Sequence, residues 1–442
     1  MISADAALEI VLSHARRLPR LREPLTKASG AVLARDVGAD RDLPPFDRAA
    51  VDGFAVRLAG DWNEEGTSFR LRGMVAAGQS FRGRLRPGDA VQVMTGAPVP
   101  TDADGVVMVE QSTREGDQVI LRGPFDTTVR PGLAPRGQDA RRGDAIVMAG
   151  TRIGPAQVAV LASAGMIEPT VWKRPSVLLV TTGDEIVEPH EKPRATQIRN
   201  SNGPFLQAML AGSGWVSRVA VRRAQDRLSS LRRSLSTVGE STPDVLVFTG
   251  GVSMGEFDLV PDVLREVGFD LHFHRIAIRP GKPLLFGTRA IGRRRQAVFG
   301  LPGNPVSVAV TAWEFLLPYL RSQSGARDAG PLSVVARVDR AIARKPGFTH
   351  FIPGRIDAAL SGRETGSRRE SQEDREPGVT VVSYHGSGDF VALGGADCLI
   401  RLESEDPRVE AGDRVTVHPL FRERSWIEPW PEVSRRTREA RG

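Results

Sequence analysis

The stretch Val177-Leu178-Leu179-Val180-Thr181-Thr182-Gly183-Asp184-Glu185 sets four consecutive apolar side chains directly before two hydroxyls, a glycine and two carboxylates. A strand with one wet face alternates apolar and polar residues. A strand that is apolar at every position is buried on both faces, as in a parallel sheet covered by helices. The polar run that follows then lies at the strand's carboxyl end, where open α/β sheets bind ligands. Working outward, the same grammar repeats from about 175 to 322. Helical spacing at Phe205, Leu206, Met209 and Leu210 predicts a helix over 202–212. Strands are expected at 219–221, 245–248, 297–299 and near 272–278, with helices from Asp226, over 258–267 and over 305–320. Strands alternating with helices predict a doubly wound parallel-sheet domain over 176–325.

Outside that region the periodicity changes. Residues 1–45 begin with an amphipathic helix, with Ser3 as N-cap and Ile10, Val11 and Ala15 on one face. From 46 to 139 short alternating runs, 69–71, 90–93 and 105–109, sit between Gly, Pro and Asp turns and read as β structure. Pro155 opens a helix that Gly165 closes. Pairing of this helix with the first would make the β region an insertion within a first domain, built from 1–45 and 140–175. Residues 330–420 are again β in pattern, interrupted by the charged segment 361–378, read as a disordered loop. Residues 421–442 form a basic tail.

The chain has 442 residues, 40% hydrophobic, with a net charge of +7. That composition describes a globular chain of several domains. No stretch suits a membrane span, and Asp5 and Glu9 sit where a signal peptide would be apolar. The single cysteine, Cys398, excludes an internal disulfide and reads as a small buried hydrophobe, in keeping with a cytoplasmic location. The basic residues are scattered without interleaved aromatics, so neither nucleic acid nor membrane is expected as a partner.

Three strand ends carry the candidate chemistry. The first is 181–185. The second is 249–258, where Gly250 and Gly251 allow backbone N–H groups to approach an anion, Ser253 supplies a donor, and Asp258 can cap a helix or hold Mg2+. The third is 300–307, where Pro305 starts a helix whose positive end faces the rim, and Asn304 or Ser307 can donate to an anion. Upstream of it, Arg275 and Arg279 share a strand face with Lys282 beyond, a cluster that an anion would neutralise. His272 and His274 lack a third partner in sequence, so packing is expected rather than zinc. No Walker A loop, dinucleotide fingerprint or nucleophile elbow is present. Asp52, before Gly53, and Thr95, at a Thr-Gly turn, mark two further turns in the β region.

Taken together, LPPFDRAAVDGFAV (43–56), VMTGAPVPTDADGVVMVE (93–110), PRGQDARRGD (135–144), GTRIGPAQVAVLASAGM (150–166), TTGDEIV (181–187), IRNSNG (198–203), TGGVSMGEFD (249–258), RPGKP (279–283), GLPGNPVS (300–307) and HGSGDFVALGGADCLI (385–400) resemble the molybdopterin molybdenumtransferase family, which includes bacterial MoeA and the gephyrin E domain. The resemblance spans nearly the whole chain. It implies four domains: an elongated helical and β first domain, the inserted β domain, the α/β domain and a C-terminal β-barrel. It also implies a homodimer whose cleft lies between the α/β domain of one subunit and the inserted domain of the other.

The implied activity inserts molybdenum from molybdate into adenylylated molybdopterin, with release of AMP and the help of Mg2+ or Zn2+. By motif, Asp52, Thr95, Glu185, Asp226 and Asp258 take catalytic positions, with Asp226 and Asp258 on the metal. Asp139, Gly250, Gly251, Ser253, Arg275, Arg279, Lys282, Pro302, Pro305, Ser307 and Ser387 take binding positions. A molybdopterin adenylyltransferase is the implied supplier of substrate. Departures from the family's pattern are Arg275 and Arg279 where lysine is frequent, Phe54 for tyrosine, Arg48-Ala49 for Asn-Ser, and Gln138 for glutamate. The competing readings are a non-catalytic pterin-binding scaffold and the adenylyltransferase itself, whose single domain would not need the β regions.

Overall fold

The first strand of the parallel sheet in chain order runs Ser176–Thr182, and all but its first residue are buried. A computed structural model describes residues 1–60, 64–123, 130–235, 242–252, 259–357, 376–405 and 408–420. Ser253 and Asp258, most of the charged loop, and the basic tail lie outside the described residues. Two compact units are present: Met1–Arg35 with Gly150–Pro155 and Glu168–Gly442, and Asp36–Ala149 with Ala156–Ile167.

In the larger unit a six-stranded sheet runs in the order Arg218–Ala224, Ser176–Thr182, Val245–Thr249, Arg294–Leu301, Leu285–Ile291, Asp270–Phe273. The first four strands are parallel. Alternate side chains enter two separate cores. Val177, Leu179, Val245, Val247, Ala297 and Phe299 face one side, with Leu206, Leu210 and Val308. Leu178, Val180, Leu246, Phe248 and Val298 face the other, with Leu231, Val260, Val263 and Leu264. This double burial is why the central strands need apolar residues at every position. From Ser176–Thr182 the chain crosses to one neighbour, Arg218–Ala224, and then returns to the opposite side at Val245–Thr249. The strand order therefore reverses between Thr182 and Thr249, and a crevice opens at their carboxyl ends.

Two sheet features differ from the sequence reading. Leu285–Ile291 forms an antiparallel hairpin with Arg294–Leu301, and Asp270–Phe273 pairs antiparallel to that hairpin. The expected strand over 272–278 is split. Phe273 ends the sheet strand, Ile276 bridges Ile2, and Ile278–Arg279 pairs with Thr349–His350 of the C-terminal region. One short stretch of chain thus serves two neighbouring domains.

The first helix, Ala4–Ser13, is capped by the Ser3 side chain as expected and buries Ala4, Ala7 and Val11. It joins the same core as the helical run from Pro305 to Gln323, which includes a π turn at Ala312–Leu316. Helix Pro155–Ser163 also forms as expected. The C-terminal region is a closed five-stranded barrel: Thr349–Asp357 pairs with both Gly378–Val381 and Cys398–Leu402, and Val334–Val338 and Arg414–Pro419 complete the ring. Cys398 is buried in its core. Glu314 of the π turn reaches His418 of the barrel at 2.9 Å, and the Trp313 indole N–H donates to the Leu420 carbonyl. Among the described residues, no helix is long and apolar enough to cross a membrane.

The smaller unit holds a second six-stranded sheet, in the order Gly105–Met108, Gly53–Val56, Asp89–Val93, Ser68–Val75, Gln118–Leu121, Ser112–Glu115. Gly53–Val56 is buried throughout.

Candidate active site

In the smaller unit, Gly53 lies opposite Val93 across an antiparallel pair, so the residues just beyond both leave the sheet at the same rim. That register brings Asp52 to Thr95. Asp52 Oδ1 accepts the Thr95 backbone N–H at 2.6 Å and its hydroxyl at 2.7 Å. These bonds, side-chain first, hold the Asp52 carboxyl below its ordinary range, and the residue is exposed and ionised. Gly96 follows with φ +85°, which closes the turn. Asp139 is also exposed, and its backbone N–H donates to the Leu43 carbonyl. Phe54 is only 3% exposed and packs with Phe69, Val107 and Val119, so a hydroxyl at this position would have no water. An apolar ring at this position suits that core.

In the larger unit, the switch-point crevice gathers the loops after three strands. Burial, then the neighbouring charges of Asp184 and Glu185, pushes the Asp226 carboxyl above its ordinary range. The Asp184 backbone N–H and the Thr182 hydroxyl donate to it and partly offset that rise. Gly250 and Gly251 have φ of +84° and +62°. A Cβ on Gly250 would come within 2.7 Å of the Thr182 carbonyl oxygen, and one on Gly251 within 3.8 Å of Asp226 Oδ1. Only glycine lets this turn pass so close to the first strand. The Gly250 N–H already donates to the Leu301 carbonyl at 3.3 Å, so the first donor of the expected anion nest is spoken for.

The Gly-Leu-Pro-Gly-Asn-Pro loop forms the other wall. Pro302 is buried, Pro305 opens the helix, and Ser307 is 4% exposed in its first turn. Asn304 Nδ2 donates to Ser387 Oγ at 2.9 Å, and the Val306 N–H donates to the Ser387 carbonyl at 3.0 Å. The barrel thereby reaches the crevice through Ser387. Arg275, Arg279 and Lys282 are exposed while Ile276 and Ile278 between them are buried, which preserves the expected alternation despite the split strand. Arg279 sits at the barrel seam, where its charge acts on His350 and Tyr384. Gly281 packs toward Thr311, which sets the basic loop against the helix after the crevice loop.

The histidines serve packing, as expected. His272 bonds the Thr288 hydroxyl and stacks on His14, and His274 Nε2 bonds the Val252 carbonyl. Sequence reasoning singled out neither Asp184 as the group that crowds Asp226 nor Asn202 and His274 as ties between loops. The run Thr-Gly-Asp-Glu was the only signal for the first; the others depend on tertiary approach.

Three family models cover the chain in order: the MoeA N-terminal region (domain I and II) over 2–165, a probable molybdopterin binding domain over 178–322, and the MoeA C-terminal region (domain IV) over 335–420. A molybdopterin molybdenumtransferase of Staphylococcus aureus strain Mu50 is 30% identical over 94% of this chain and 95% of its own length. The chain belongs to the molybdopterin molybdenumtransferase family. Another member, from Synechococcus elongatus, is 36% identical over 72% of this chain and 80% of its own. The crystal structure of a molybdopterin biosynthesis MoeA protein from Pyrococcus horikoshii OT3 superposes with a TM-score of 0.75 at 25% identity, covering 95% of this chain and all of that one. Within this molybdenumtransferase-family chain, the region matched as a molybdopterin binding domain contains all three loops of the switch-point crevice.

Proposed function

We propose that the chain is a molybdopterin molybdenumtransferase that moves molybdenum from molybdate into adenylylated molybdopterin and releases AMP. The observation that carries this reading is the match of residues 178–322 to a molybdopterin binding domain that holds the switch-point crevice, where the half-buried Asp226 lies beside the Gly250-Gly251 turn. The names of the relatives support it.

In this reading the pyrophosphate bond lies over the crevice. A water oxygen bonds to the adenylyl phosphorus, the bridging P–O bond breaks, and AMP leaves while the pterin keeps its phosphate. Arg275, Arg279 and Lys282 offset phosphate and molybdate charge; Arg suits bidentate contact, whereas Lys282 is a compact point donor. Gly251, Ser253, Ser307 and Ser387 supply N–H and hydroxyl donors to oxyanions, and Pro302 and Pro305 shape that pocket. Asp52, Thr95, Asp139 and Glu185 orient water and substrate.

The donor set also suits a divalent cation. Hard carboxylate oxygens are the ligands Mg2+ prefers, and a cation would offset the burial and the neighbouring negative charge that raise Asp226. Among the described residues no three His, Cys, Asp or Glu side chains converge closely enough to hold an ion. The proposed ligands are Asp226 and Asp258, the second of which lies outside the described residues. Mg2+ or Zn2+ there would neutralise charge developing on the phosphates. A homodimer, a cytoplasmic location and an adenylyltransferase as supplier of substrate complete the proposal; sedimentation velocity tests the first.

The deciding experiment measures AMP release from adenylylated molybdopterin, with and without molybdate and Mg2+, for the wild type and Asp258→Ala. Molybdate-dependent release that is lost in the variant supports the reading. A folded wild type that binds the nucleotide but never releases AMP would overturn it.

A further inference from the structure

Asparagine amides tie the rim of the crevice together. Asn200 Nδ2 donates to the Thr181 hydroxyl at 3.3 Å, and Asn200 Oδ1 accepts the Gly203 N–H at 3.0 Å. Asn202 Nδ2 donates to the Gly303 carbonyl at 2.8 Å. One residue on, Asn304 Nδ2 donates to Ser387 Oγ at 2.9 Å. The ties run from the end of the first strand, through the start of helix Asn202–Ser213, across the 300–307 loop, to the barrel.

We infer that Asn202 is a positioning residue of the transfer reaction, which acts through the Gly303 carbonyl to fix the 300–307 loop over the crevice. The inference rests on the reading of this crevice as the transfer site. Three observations carry it.

Asn202 Oδ1 is shut off from solvent, and among the described residues only the donor end of this amide has a hydrogen-bond partner. A shielded acceptor without a partner opposes folding, and its presence is offset by what the donor end holds in place. Second, Gly303 lies beside the paired glycines: a Cβ built on it would be 4.0 Å from Gly250 Cα. Movement of Gly303 therefore moves the wall that faces Gly250. Third, the helix that carries Asn202 is itself anchored. Its Phe205 packs edge-on against Trp313 and against Phe390 of the barrel loop, with ring centroids 5.3 and 6.4 Å apart. Asn202 can thus transmit a fixed position rather than follow the loop.

The test uses the full chain with Asn202→Asp, which keeps the shape but presents a carboxylate oxygen where the Gly303 carbonyl needs a donor. Displacement of a catalytic wall by even an ångström costs up to about a hundredfold in rate. The expected result is a fall of about tenfold or more in kcat for AMP release, with KM for the nucleotide little changed. Asn304→Ala, at an exposed residue, removes the second tie without a buried charge and is expected to lower kcat less. In both, amide hydrogen exchange over residues 300–307 should quicken. A wild-type kcat in both variants would overturn the role, as would unchanged exchange over 300–307. If the wild type itself releases no AMP, the functional reading fails, and the exchange measurement still decides whether Asn202 holds the loop.

Discussion

Asp52 accepts both the backbone N–H and the hydroxyl of Thr95, although 43 positions separate the two residues. The register of Gly53 against Val93 makes that meeting unavoidable. Both residues are exposed, so the pair contributes little to stability, and the proposed function gives it a role at the substrate. Asp52→Ala is expected to melt near the wild type yet lose about a hundredfold in AMP release. Asp52→Asn separates two roles. It keeps an acceptor for Thr95 but loses the charge. Activity as poor as that of the alanine variant assigns the role to the charge; near-normal activity would show that Asp52 only props the turn.

Asp226 gives the opposite signature. Its carboxyl is raised by burial and by Asp184 and Glu185. Between the ordinary carboxyl value, about 3.9, and the raised value, the folded state binds more protons than the unfolded chain. Stability therefore falls as pH climbs through that window and stays lower at neutral pH. Asp226→Asn removes the repulsion. It is expected to gain about 1 kcal/mol or less at pH 7, after allowance for solvent screening, and nothing in acid. The same variant should lose AMP release. Thermal melts at both pH values, beside the activity assay, check this; a variant less stable at pH 7 would refute the crowding.

The barrel seam rests on a buried pair. His418 Nδ1 lies 2.9 Å from Glu314, with side chains 7% and 4% exposed. Removing one partner strands the other away from water, at a cost of about 3–5 kcal/mol. His418→Ala should shift the urea midpoint accordingly. The double change Glu314→Leu with His418→Leu should recover most of the loss, because apolar packing replaces both groups.

Two glycines of the crevice should respond differently to a methyl group. Gly250 has φ +84° and a Cβ there would meet the Thr182 carbonyl oxygen at 2.7 Å. Gly250→Ala is expected to cost about 1–3 kcal/mol and most of the activity. Gly303→Ala meets nothing nearer than 4.0 Å and should be close to neutral in stability. Urea titration of the two variants side by side gives the comparison.

The parallel core was legible because double burial leaves a direct trace: Val177 to Val180 are apolar at every step. The Ser3 cap and the glycine turns were legible for similar local reasons. The hairpin strand Leu285–Ile291 was not, because its apolar run follows a Pro-Gly-Lys-Pro turn and looks like a continuation of that loop. The break at His274 was invisible because Ile276 and Ile278 are equally apolar whichever sheet receives them. At the site, the residue types of the loops were readable one loop at a time. That Asp184 crowds Asp226, or that Asn202 reaches Gly303, depends on which strand ends become neighbours, and no local pattern encodes that.

The strand Arg218–Ala224 ends the six-stranded sheet and has a partner, Ser176–Thr182, along one side within that sheet. Its Val221 is 41% exposed, and such a rim is a template for strand addition by another copy of the chain. Arg218, Arg222 and Arg223 line it, with Arg223 paired to Glu191 and Arg222 bonded to the Ser234 carbonyl. Charge at a sheet rim deters cross-copy pairing, so these arginines disfavour the addition of a second copy's strand at this edge.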